Sequence, residues 1–110
     1  MSVTPLLYSP NIYRRVDWAV EFVLQSNGSA VDLSTSVMTA QAWNEKRTKK
    51  YLDMTCTVSD ATNGKVQVSM TDTQTTILPD IACWDLKKTS GDLTEYWVTG
   101  KLNVFQGYTS

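Results

Sequence analysis

Histidine is absent from the chain. That removes the commonest general base, the commonest metal ligand and the usual pH switch together, and it lowers the expectation of catalysis. Cysteine is scarce, with Cys56 and Cys83 the only two. Cys56 shares strand parity with Leu52, Met54 and Val58, whereas Cys83 falls between Ala82 and Trp84 and should face the other way. Two free, packed thiols are therefore favoured over the rival reading, a disulfide. Two such thiols without His cannot close a zinc site. The Asp-rich calcium-loop pattern and a Gly-rich phosphate loop are also missing. No run approaches the roughly 18 apolar residues of a membrane span. The short apolar run from Leu6 to Tyr8 has prolines on both sides and is too brief for a signal peptide. The chain is thus expected to remain in a cytosol, where thiols stay reduced. A net charge of −1 and a pI near 5.2 provide no global field for nucleic acid or anionic membrane. No cofactor, metal, membrane or small-molecule substrate is expected, and any charged partner must be met locally.

What is present is ordinary globular material: 110 residues, 42% hydrophobic, with four Trp and five Tyr. That length suits one core and is too short for two. Period-two alternation dominates. Residues 17–24, DWAVEFVL, put Trp18, Val20, Phe22 and Leu24 on one face. Asn27-Gly28 then offers a hairpin turn; Asn27-Gly28-Ser29 also fits the glycosylation acceptor pattern, the less favoured reading. In residues 37–45, VMTAQAWNE, either Met38, Ala40 and Ala42 or Val37, Thr39 and Trp43 pack inside. The first set is preferred, leaving Trp43 partly exposed. After the basic KRTKK segment, Leu52, Met54, Cys56 and Val58 share a face.

Asn63-Gly64 closes the clearest turn and leads into Val66, Val68 and Met70. The stretch TDTQTTILP reads as a single helical turn near residues 72–78, capped by Thr71 or Asp72 and stopped by Pro79. Ile77 and Leu78 are expected to plug the end of the core. Ala82, Trp84 and Leu86 point inward next. In the last strand Tyr96, Val98, Gly100, Leu102 and Val104 share a face, with Trp97 opposite, and Gly100 marks a bulge or a close neighbour. About seven strands at short spacing predict an all-β sandwich. Residues 1–16 would form an N-terminal arm or edge strand, 17–106 the sandwich, and 107–110 a tail. No long helix, repeat or linker divides the chain, so the domain reads as whole.

The order NGKVQVSM, TDTQTTILP, CWDL and WVTGKLNV resembles the immunoglobulin-like domain at the N-terminus of bacteriophage baseplate upper proteins and related tail components. There a G-x-I-x-L-x-L-T-x-x-Q-T-x-x-L segment precedes an aromatic-Asp-Leu strand and a final G-x-x-x-V strand. The matching positions are Gly64 to Met70, then Thr71, Gln74, Thr75 and Leu78, then Trp84, Asp85 and Leu86, and finally Gly100 and Val104. They span roughly residues 17–106. The resemblance implies an immunoglobulin-like antiparallel β-sandwich and a virion structural role in the tail, assembled in the host cytoplasm. It further implies partners among other tail, baseplate or fibre proteins and a homo-oligomeric or multi-copy ring. Family members usually carry a long C-terminal extension toward receptor-binding parts. Here the chain ends at Ser110, which leaves host recognition without its module and points to an adaptor.

Candidate chemistry is thin. Asp17, Glu21, Asp53, Asp85 and Glu95 lie on different strands, mostly at outward parity, and read as solvated faces rather than a catalytic pair. Asp85, directly after Trp84, is best suited to a structural polar contact. Lys46, Arg47, Lys49 and Lys50, flanked by Trp43 and Tyr51, read foremost as a solvated hairpin tip that guards an edge. Protein docking comes second, and single-stranded nucleic acid is the least favoured partner. Trp43, Trp97, Tyr13 and Tyr108 exceed what one inner face accommodates, and such aromatics mark an interface. The expected function is a non-enzymatic tail, baseplate or fibre-attachment adaptor. The alternative is a carbohydrate or host-surface binding module that uses Trp43, Trp97 and Tyr51 as stacking platforms.

Overall fold

The alternation seen in the sequence becomes an all-β fold in the computed structural model, which describes residues 5–26 and 28–107. Six strands carry most of it: β3 (Trp18–Val23), β6 (Val37–Trp43), β7 (Lys50–Asp60), β8 (Lys65–Met70), β9 (Ile81–Ser90) and β10 (Leu93–Phe105). Shorter pieces are β1 (Leu6–Leu7), β2 (Asn11–Tyr13) and the small hairpin of β4 (Gln25–Ser26) with β5 (Ser29–Ala30). The single helical turn is α1 (Asp72–Thr76). Gly28 lies at the β4–β5 turn with φ +80°, whereas Asn27, its proposed partner and the glycosylation acceptor, lies outside the described residues, as does Tyr108.

One sheet runs in the order β1-β10-β9-β6-β7-β8-β3, with β2 also on β10. The eleven-residue β7 makes it curl: Leu52 to Met54 pair with β6, whereas Thr55 to Asp60 pair with β8. Its two wings thereby face each other, and Phe22 and Trp18 of β3 meet Trp84 of β9 at ring distances of 6.0 and 6.4 Å. The sheet is mixed rather than wholly antiparallel, because β1 and β2 lie parallel to β10. The arm starts at the same end as β10 and crosses to the other wing afterwards, so it has no hairpin return.

Most expected core positions are buried: Phe22, Leu24, Leu52, Met54, Val66, Val68, Met70, Leu78, Trp84, Leu86, Leu102 and Val104, with Met38, Ala40 and Ala42 from β6. Trp18 and Val20 are only half-buried against that core. They sit on β3, the last strand of the sheet, where among the described residues a strand pairs with one flank alone. Val58 is also more open than its parity suggests, next to a register shift between Val58 and Asp60. Ile77, expected to plug the rim, is exposed; it is the C-cap of α1 and turns outward while Leu78 turns in. The buried helical residue is Thr75, whose hydroxyl donates to the Val16 carbonyl at 3.0 Å. The arm contributes Ile12, fully buried.

The largest departure lies on β10. A bulge between Tyr96 and Val98 inserts Trp97 as an extra residue, so parity changes there. Tyr96, expected inside, is 44% exposed, and Trp97, expected outside, packs partly against the core. Gly100 is instead the close approach: a Cβ there would strike the backbone carbonyl of Tyr8.

Candidate functional site

Two surfaces hold Trp97 and Trp43, two of the aromatics singled out in the sequence. The first is a seam between the two ends of the curled sheet. Among the described residues no strand pairs with the second edge of β3. Across from it lie β1 and the bulge of β10, and a groove of about 480 Å³ opens between them. Its walls are Leu6 and Leu7 of β1, Phe22 and Val23 of β3, and Trp97 and Val98 of β10. Leu7 is 75% and Val23 50% exposed, so apolar surface faces solvent on both walls of the groove. The indole N–H of Trp97 is buried without an acceptor among the described residues. β3 also lacks the Lys or Pro that commonly guards a free edge.

The second surface is a hollow of about 180 Å³ on the outer face of β6, β9 and β10. Register builds it: Gln41, Asp85 and Thr99 form one cross-strand row, and Trp43 lies opposite Cys83 in the next. The indole N–H of Trp43 donates to Gln41 Oε1 at 2.9 Å, and Gln41 Nε2 donates to Asp53 Oδ1 at 2.8 Å. Lys50 grips the same carboxylate at 3.0 Å and holds Asp53 below the usual carboxylate range. Above Trp43 the basic loop is folded around Asn44. Its Oδ1 accepts from the backbone N–H of Thr48 and Lys49, and its Nδ2 donates to Thr48 Oγ1. Arg47 takes a left-handed φ of +56° at the tip, which lays its guanidinium 4.8 Å from the Trp43 ring centroid. That contact is a cation–π pair.

Asp85 forms the floor of this hollow. Burial pushes its carboxyl above the ordinary carboxylate range, partly opposed by the charges of Arg47 and Lys87. No hydrogen bond or ion pair reaches it among the described residues. The structural contact expected for Asp85 is therefore not made there.

The basic residues do not converge. Arg47 covers Trp43, Lys49 lies 5.8 Å from the Tyr51 ring, and Lys50 bonds Asp53, while Lys46 is exposed. Tyr51 packs partly against the core, so Trp43, Trp97 and Tyr51 belong to three separate places rather than one platform. Tyr13 stacks on Phe105 at 5.5 Å on the outer face, both exposed. Cys56 and Cys83 are free thiols. Among the described residues no three Cys, Asp or Glu side chains are grouped to hold a metal ion, and no helix is long and apolar enough to cross a membrane.

Gln41 and Thr99 escaped the sequence reading. Alternation placed them outward, but only strand register sets them beside Asp85. The chain matches no family model and no curated protein.

Proposed function

We propose that this chain is a non-enzymatic bacteriophage virion structural protein, an immunoglobulin-like β-sandwich adaptor that docks tail, baseplate or fibre components. The two wings facing each other across Trp84 support the sandwich reading, and the ordered motifs from Gly64 to Val104 support the family. The observation that carries the docking role is the seam. A strand edge and a buried Trp97 N–H that have no partner among the described residues, beside an apolar groove, together suit one occupant, an extended segment of a neighbouring virion protein. Such a segment would add its backbone to β3 and its apolar side chains to the groove. Copies arrayed in a ring would multiply a modest single contact.

The test is made in purified particles. A photo-crosslinking residue placed at Val23 is expected to capture an extended segment of another virion protein. Absence of the chain from purified particles would refute the virion role. Presence of the chain with crosslinks only to its own surface would refute the seam.

A further inference from the structure

We infer that the hollow over Asp85 is a binding site for a neutral polyhydroxylated ligand, a single sugar ring, held between the Asp85 carboxylate and the Trp43–Arg47 pair. The inference is independent of the seam, which lies at the edges of the sheet rather than on its outer face.

Asp85 is half-buried at the centre of three paired strands and receives no hydrogen bond or ion pair among the described residues. A carboxylate in that position can accept two donors side by side, and vicinal hydroxyls are such donors. The surrounding groups are already fixed. Trp43 is held by Gln41 and Gln41 by Asp53, and the Asn44 turn sets the backbone at Arg47. Little side-chain freedom remains to be lost on binding.

Charge selects against ions. The hollow itself is lined by Arg47, Glu45 and Asp85, a sum of −1, and Lys87 of the small cleft that adjoins it brings the total to zero. Neither a phosphate nor a polyamine gains a net field there. Size selects against long ligands, because 180 Å³ lies below the roughly 300–1,000 Å³ of a drug-sized pocket. A compact ring rimmed with hydroxyls matches a carboxylate, an amide and the guanidinium that covers the Trp43 ring.

The experiment titrates the full ¹⁵N-labelled chain at pH 7 with methyl glycosides of glucose, galactose, N-acetylglucosamine and rhamnose. Sodium phosphate and spermidine serve as the charged arms. At least one glycoside is expected to move the Trp43 indole N–H and Gln41 amide resonances saturably, with a Kd of about 1 mM, as befits about a dozen heavy atoms. Asp85→Asn should weaken that binding at least tenfold while leaving the fold as stable as before or more so, since it removes a charge that burial disfavours. Trp97→Phe, at the seam, should leave the binding unchanged. No saturable shift with any of the four glycosides would overturn the inference. So would equal affinity in Asp85→Asn, or stronger displacement of the same resonances by phosphate or spermidine.

Discussion

Gly100 faces inward on β10, opposite Trp84, and the space a side chain would fill is taken by the Tyr8 carbonyl. That carbonyl accepts the Trp84 indole N–H at 3.0 Å, so one missing Cβ lets the arm lie close alongside the strand and satisfies a buried donor. Gly100→Ala should therefore cost about 2–4 kcal/mol, the sum of overpacking and a lost hydrogen bond. Urea unfolding measures it, and a cost under about 0.5 kcal/mol would contradict the placement of Tyr8. Cys56 is a free thiol packed partly against the core. Burial pushes its thiol up to about 11. At pH 8 its thiolate fraction is then roughly a hundredfold below that of an ordinary thiol. Ellman's reagent should react with it far more slowly in the native chain than after denaturation. Between the ordinary value of 9.0 and about 11 the folded state keeps a proton that the unfolded state has lost. This contribution to stability therefore falls as pH rises through that window. The sequence left a bulge or a close neighbour open at Gly100 and foretold a packed thiol at Cys56, but it showed neither the Tyr8 carbonyl nor the depth of burial, both of which come from distant segments.

At the scale of elements, α1 forms where the sequence placed it because Thr71 and Gln74 cap each other. Gln74 N–H donates to Thr71 Oγ1 at 3.2 Å, and Thr71 N–H donates to Gln74 Oε1 at 2.9 Å. That reciprocal pair is a capping box and settles Thr71 over Asp72 as the cap. The β9–β10 hairpin holds a feature that alternation alone concealed. Lys88 continues the inward parity of Trp84 and Leu86, and its cross-strand partner Glu95 lies 3.7 Å away, with side chains only 10% and 15% exposed. A charge at a core parity reads in sequence as the end of the strand; here the strand continues because the opposite charge is directly across. Glu95→Ala should cost about 2–3 kcal/mol by stranding the ammonium, whereas Lys88→Met with Glu95→Leu should return to within about 1 kcal/mol of the parent. A double-mutant cycle in denaturant decides. If the single and double variants are equally unstable, the cost arises from packing rather than the unpaired charge.

Across the whole molecule, Arg14 ties three distant segments. Its guanidinium donates to the Leu78 carbonyl at 2.9 and 3.0 Å, to Asp80 Oδ1 at 3.0 Å and to Gln106 Oε1 at 2.8 Å. These join the arm, the exit from α1 and the segment after β10. Arg14→Ala should cost about 2–3 kcal/mol, and Arg14→Lys should recover little, since an ammonium lacks the planar fork. Asp80→Asn should cost under about 1 kcal/mol because that carboxylate is 87% exposed. Thermal unfolding of the three variants orders these contributions, and a benign Arg14→Lys would show that charge, not geometry, makes the tie. Period-two alternation determined the all-β class, most of the inward set from Phe22 to Val104 and the outward parity of Trp43 and Asp85, and the capping residues with Pro79 determined the helical turn. Those follow from the strand repeat and from local capping, which neighbours in the chain control. Only the tertiary structure decided that the arm lies parallel to β10, that a bulge turns Trp97 toward the seam, and that Gln41, Asp85 and Thr99 share a row. Register and curl depend on which strands meet, and that is a property of contacts between residues far apart in the chain.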